Sequence, residues 1–165
     1  MRYKLKKKCL LLLIIPIVIV ITVLAVFFIN KDTNTHELFH VNDRYYNSNR
    51  IVEITKEDLI KKENNKESFL LFIYQPMCFA SDKFNIILYD FVKKYNLSFL
   101  KIQFSEIEET ELETCIKYYP SISIYKDGKV VAYLDANEDE DTKYYKSVND
   151  FKSWLEQFIY IKKEV

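Results

Sequence analysis

Residues 68–84 read SFLLFIYQPMCFASDKF, and the fold turns on them. The six apolar and aromatic residues at 69–74 make the pattern of a strand buried on both faces. Gln75-Pro76 ends that run, because proline donates no hydrogen bond to a ladder and holds its predecessor extended. Cys78 follows at once, and a helical pattern sets in within a few residues. A thiol on a strand-to-helix turn lies where unpaired backbone N–H groups and the helix dipole stabilise a thiolate. Three residues on, where a second cysteine would complete C-x-x-C, stands Ser81.

Outward from this stretch the pattern is regular. Upstream, 51–54 reads as a short strand, and Thr55 with Asp58 forms a capping-box start to a helix ending near 64. Downstream, Phe84, Ile87, Leu88, Phe91 and Val92 recur at helical spacing over 81–95. A strand over 98–104 and a helix over 108–118 follow. Pro120 precedes an alternating strand at 121–125, and Asp127-Gly128 turns the chain into a hairpin partner over 129–134. An acidic, solvated loop at 135–141 leads to a last helix over 148–161, with Phe151, Trp154, Leu155 and Phe158 on one face. The order is β-α-β-α-β-α-β-β-α. Helices between strands predict parallel pairing, and the closing hairpin is antiparallel.

The N-terminal part is of a different kind. Arg2, Lys4, Lys6, Lys7 and Lys8 place five positive charges in the first eight residues of a chain whose formal net charge is zero. The remainder is therefore acidic, which argues against nucleic acid as a partner. Residues 10–29 carry no charge, a length that spans a bilayer as a helix. With the basic leader at 1–9 kept in the cytoplasm, the chain from 30 onward is expected outside. A cleaved signal peptide is the alternative, although its small-residue cleavage site is not evident. Residues 30–50 read as a polar tether and 51–165 as the folded domain, long enough to bury a core without disulfides.

Within the tether, His36-Glu37-Leu38-Phe39-His40 matches H-E-x-x-H, a zinc signature when it lies on a helix. Its flanks are those of a polar linker, and it contains both histidines of the chain, so no metal or other cofactor is expected. Cys9, Cys78 and Cys115 have neither metal-ligand nor disulfide-scaffold spacing.

The order of elements, the thiol after the second strand and the proline at the start of the fourth together resemble the thioredoxin superfamily over about 51–161. Cys78 falls on that family's first, nucleophilic cysteine. Pro120 in Tyr119-Pro120-Ser121 matches its cis-proline, and Tyr125-Lys126-Asp127-Gly128 matches its following hairpin. The resemblance implies an α/β fold with a central mixed sheet flanked by helices, here preceded by one transmembrane helix. It also implies a nucleophilic Cys78 and a substrate-docking edge at Tyr119, Pro120 and Phe79. In layout the chain is similar to membrane-anchored bacterial thioredoxin-like proteins, with C-x-x-S in place of the dithiol.

The departures restrict the chemistry. Ser81 replaces the resolving cysteine, Met77 stands where tryptophan is common, and Phe72 occupies the position of a buried acid. A serine hydroxyl cannot resolve a mixed disulfide but can hydrogen-bond to a thiolate. Two readings follow. In one, Cys78 carries out one-cysteine exchange on a cysteine-containing exported protein or peptide, at the outer face of the cytoplasmic membrane. In the other, Cys78 is a small apolar residue on an inherited turn, and the domain is a redox-inert binding module or export accessory. Cys115 is expected to face the core, and a Cys78–Cys115 disulfide is the remaining possibility in an oxidising compartment.

Overall fold

The computed structural model describes residues 37–162. Among the described residues, five strands and four α-helices follow in the order β1 (Ile51–Glu53), α1 (Lys56–Asn64), β2 (Phe69–Tyr74), α2 (Phe79–Tyr95), β3 (Phe99–Gln103), α3 (Leu112–Cys115), β4 (Ser121–Lys126), β5 (Lys129–Asp135) and α4 (Val148–Leu155). The sheet order is β1-β3-β2-β4-β5. The apolar run at 69–74 thus occupies the central strand, and its first five residues are buried. This is a mixed five-stranded sheet flanked by helices, an α/β fold.

Local chemistry sets each element that positions the site. Thr55 and Asp58 close the expected capping box at the start of α1. Along α2, Phe84, Leu88, Phe91 and Val92 are buried while Lys93 and Lys94 occupy the last turn. Asn96 ends that helix in the left-handed region, at φ 53°. At the β4–β5 hairpin, Asp127 and Gly128 both have positive φ, as a type I′ turn requires. A bulge follows at Val131, where the register moves from Tyr125–Val130 to Ile124–Ala132.

Not every pairing follows the expected rule. β1 and β2 run parallel to β3, but β4 runs antiparallel to β2, although a helix precedes it. Tyr74 pairs with Gln103 and Ser121 with Ile73, so β4 begins at the end of the sheet where β2 and β3 finish. The connection never returns to the far end. It holds a 3₁₀ turn over Phe104–Ile107 and the four-residue α3, where a helix over 108–118 was expected. Four helical residues rise about 6 Å, too little to traverse a strand. The threonine hydroxyls divert the backbone here, Thr110 donating to the Ile107 carbonyl at 2.6 Å and Thr114 to that of Glu111 at 2.7 Å.

The polar tether reading also needs correction from residue 37 onward. Val41, Tyr45 and Tyr46 are buried in the core. The Asn42 N–H donates to the Ser68 carbonyl at 2.8 Å, and the Asn42 side chain accepts from the Ser68 N–H at 2.7 Å. Phe39 forms a bridge with Ile159, its N–H donating to Phe158 and its carbonyl accepting from Tyr160. α4 stops at Leu155 and not at 161. The N–H groups of residues 156–159 close a last turn on the Lys152, Trp154 and Leu155 carbonyls, and the Phe158 carbonyl and Tyr160 N–H then pair with Phe39 and no longer continue a helix. The leader at 1–9, the apolar run at 10–29, Cys9 and His36 lie outside the described residues. Among the described residues, no helix is long and apolar enough to cross a membrane.

Candidate functional site

The turn out of β2 builds the site. Gln75 and Pro76 leave the strand, Met77 takes a left-handed conformation at φ 58°, and Cys78 returns to extended geometry as the N-cap of α2. A left-handed non-glycine residue is uncommon, and here it turns the chain abruptly into the helix. Met77 is 98% exposed and Phe79 82%, so the half-buried Cys78 lies between two side chains held in solvent.

The electrostatics favour a thiolate. The backbone N–H of Ser81 lowers the Cys78 pKa below the ordinary thiol value, helped by the Ser81 side chain and the Ala80 N–H. Partial desolvation and the Asp82 carboxylate oppose them without reversing the direction. The thiol closes no cap hydrogen bond of normal geometry. The lowered pKa therefore reflects N–H groups pointing toward the sulfur, the arrangement that stabilises charge at a helix start.

Ser81 itself is buried, and its hydroxyl accepts from the Gln75 N–H at 3.2 Å. It ties the first turn of α2 to the exit of β2. Beneath them, Phe72 is buried and packs 5.7 Å from the Phe84 ring, so no carboxylate stands there to move a proton.

The Tyr119–Pro120 peptide is cis. Ser121 opposes Ile73 in the sheet, which brings the proline loop beside the exit of β2 toward Cys78. Pro120, the early α2 residues Ala80, Lys83 and Phe84, and Tyr145 all line one cavity of about 240 Å³. Tyr119 packs edge-on against Phe104 at 5.1 Å and is 39% exposed. Neither Tyr119 nor Phe79 lines the cavity, so the expected docking edge is split into a cavity and two flanking aromatics.

Tyr145 is a residue that sequence reasoning missed. Its hydroxyl lies 2.8 Å from the Leu134 carbonyl and 3.0 Å from the Pro120 carbonyl, so its one proton serves both. Its ring sits 4.7 Å from that of Phe84. Burial, then the Asp135 and Asp141 carboxylates, push its pKa up, and it remains a neutral donor. The stretch around it has no periodicity that would have marked it.

The remaining candidates resolve simply. Cys115 is half-buried, burial raises its pKa, and its thiol points to the Leu112 carbonyl at 3.5 Å. Both Cys78 and Cys115 are free thiols, so the Cys78–Cys115 disulfide is not formed. His40 stacks on Tyr160 at 4.6 Å, and its Nδ1 lies 3.3 Å from the Tyr46 hydroxyl. The segment carrying it bridges Ile159 as extended chain, which is not the helix that H-E-x-x-H needs to present two imidazoles together. Among the described residues no cluster of three or more metal-ligating side chains occurs.

The chain matches no family model, and no curated protein matches it. Among solved structures it is similar to the oxidised thioredoxin of Plasmodium falciparum, at 17% identity over 66% of this chain and 97% of that one, with a TM-score of 0.47. Oxidised thioredoxin O1 of Arabidopsis thaliana gives 16% identity, 66% and 96% coverage, and 0.49. A structure from work on thiol resolution in yeast mitochondrial 1-Cys peroxiredoxin through the glutathione and thioredoxin systems gives 17%, 66%, 95% and 0.47.

Proposed function

We propose that this protein is a one-cysteine thiol-disulfide exchange protein with Cys78 as its nucleophile, tethered by residues 10–29 to the outer face of the cytoplasmic membrane. The observation that carries the reading is the free, half-buried Cys78 at the start of α2, its pKa lowered first by the Ser81 N–H. The Cys78 thiolate attacks one sulfur of a substrate disulfide. A bond from Cys78 to that sulfur forms as the substrate's own S–S bond breaks, and the second substrate sulfur leaves as a thiolate. Ser81 cannot attack the resulting mixed disulfide. A thiol from outside the chain does so, forming a new disulfide with the bound sulfur and returning Cys78 as thiolate. The substrate class is a cysteine-containing exported protein or peptide.

The membrane placement rests on the uncharged run at 10–29 and the basic residues before it. Protease accessibility of the domain in intact cells tests it, and protection of the domain would sink the outward orientation.

A second reading has its own support. Met77 and Phe79 stand almost free in solvent, with Tyr118 and Tyr119 also exposed, and such side chains suit a binding face without redox chemistry. Two measurements separate the readings. Iodoacetamide should alkylate Cys78 at neutral pH faster than an ordinary exposed thiol, and an ordinary rate counts against exchange. Partners recovered as mixed disulfides that disappear in Cys78→Ala support exchange, whereas partners that survive Cys78→Ala support the binding module.

A further inference from the structure

One cavity is lined from three parts of the chain: the first turns of α2, through Ala80, Lys83 and Phe84, the proline loop, through Pro120, and the segment after β5, which contributes Tyr145. Tyr145 touches the other two. Its hydroxyl lies 3.0 Å from the Pro120 carbonyl, and its ring is 4.7 Å from Phe84. The same hydroxyl reaches the Leu134 carbonyl at 2.8 Å, near the end of β5. Ser121 adds a local tie, its hydroxyl donating to the Tyr118 carbonyl at 2.7 Å, but that bond stays within the loop. Tyr145 is thus a side chain that joins the loop to the helix carrying the thiol.

We infer that Tyr145 is a positioning residue, holding the Tyr119-Pro120-Ser121 loop in register with Cys78 so that an extended cysteine-containing chain docks with its disulfide in reach of the sulfur. The inference rests on the proposed exchange at Cys78. Tyr145 does not touch the thiol, and it lies outside the residues that lower the Cys78 pKa. It therefore acts on docking and not on thiolate formation. A small disulfide, which needs only the sulfur, is indifferent to the loop. A peptide disulfide is not.

Tyr145→Phe keeps the ring against Phe84 and removes only the hydroxyl. Tyr144→Phe is the neighbouring control, since that hydroxyl lies only 3.4 Å from the exposed Gln157 amide. Two probes are used: a nine-residue cysteine peptide as its mixed disulfide with 2-nitro-5-thiobenzoate, and 5,5′-dithiobis(2-nitrobenzoate). In both, Cys78 forms a bond to one sulfur and a coloured thiolate leaves, so a single absorbance reading follows each. Tyr145→Phe should slow release from the peptide about fivefold, the size expected for one buried hydrogen bond. Its rates with the small disulfide and with iodoacetamide should match wild type, and a cooperative melt by circular dichroism shows that the domain is folded. An unchanged peptide rate, an equal fall with both disulfides, or an equal fall in Tyr144→Phe overturns the positioning role. A wild-type protein that releases nothing from either disulfide overturns the exchange reading itself.

Discussion

Ser81 holds Gln75 with its hydroxyl, at 3.2 Å from the Gln75 N–H, while its own N–H is the main influence lowering the Cys78 pKa. The residue at the resolving position therefore does two structural jobs with two different groups, and neither is resolution. Ser81→Ala should separate them. The backbone N–H remains, so the midpoint of the Cys78 alkylation rate against pH should rise only part of the way toward an ordinary thiol. The Gln75 N–H loses its partner, which should lower stability by about 1 kcal/mol. A midpoint that moves fully to the ordinary value would show that the hydroxyl, not the backbone, stabilises the thiolate.

The one glycine of the chain closes the β4–β5 hairpin. Gly128 has φ +79°, and a Cβ built there would lie 2.2 Å from the Glu63 carbonyl oxygen, a backbone atom at the end of α1. Its N–H donates to the Glu67 carbonyl at 2.8 Å, and the Asp127 N–H donates to the Ser68 hydroxyl at 2.9 Å. Gly128→Ala thus meets both conformational strain and a clash that no side-chain movement relieves. Urea unfolding should show a loss of about 2–4 kcal/mol. A loss under about 1 kcal/mol would mean that the hairpin shifts away from α1 without difficulty.

Where the folded domain begins is open to a direct test, because residues 37–50 contribute Val41, Tyr45 and Tyr46 to its core. Val41, Tyr45 and Tyr46 are each worth about 1.5–3 kcal/mol of burial, a large share of the stability of a domain of this size. The Tyr46 hydroxyl also donates to the Tyr160 carbonyl at 2.7 Å. A protein beginning at residue 37 should unfold cooperatively, and one beginning at residue 51 should show no cooperative transition by circular dichroism. Equal melting of the two would return 37–50 to the status of a tether.

The elements around Cys78 were legible because each carries its own local rule. The run at 69–74, the capping box at Thr55 and Asp58, the spacing from Phe84 to Val92 and the Asp127-Gly128 turn all express periodicity or turn chemistry within a few residues. What stayed hidden depends on contacts distant in sequence. The direction of β4 is set by where Ser121 meets Ile73, which no local pattern encodes. Val41 and the adjacent Tyr45-Tyr46 pair sit among polar residues, so their burial has no period to reveal it. Tyr145 belongs to the site through Pro120 and Phe84, which lie 25 and 61 positions away in the sequence. Cys78 and Ser81 were visible as a motif, but the hydroxyl contact to Gln75 needed the folded turn.

Glu63 offers a pH-dependent test on the opposite face of the sheet from Phe84. Its Oε1 accepts from the buried Tyr125 hydroxyl at 3.0 Å, yet burial raises its pKa, and the Glu111 carboxylate adds to the rise against the lowering effect of Tyr125. An acid whose folded pKa is raised binds more protons folded than unfolded, so stability falls as pH rises from the ordinary carboxyl range through the raised value. At neutral pH that cost is fully present. Glu63→Gln keeps an acceptor for Tyr125 and removes the charge. It should stabilise the protein at pH 7 by roughly 0.5 kcal/mol, a figure kept small because the carboxyl is half-exposed and screened by solvent. The gain should vanish as pH falls below the ordinary carboxyl range, where wild-type Glu63 is itself neutral. Denaturant melts of the two proteins at pH 7 and at about pH 3 decide it, and a gain that persists or grows at the lower pH would exclude the carboxylate charge as its cause.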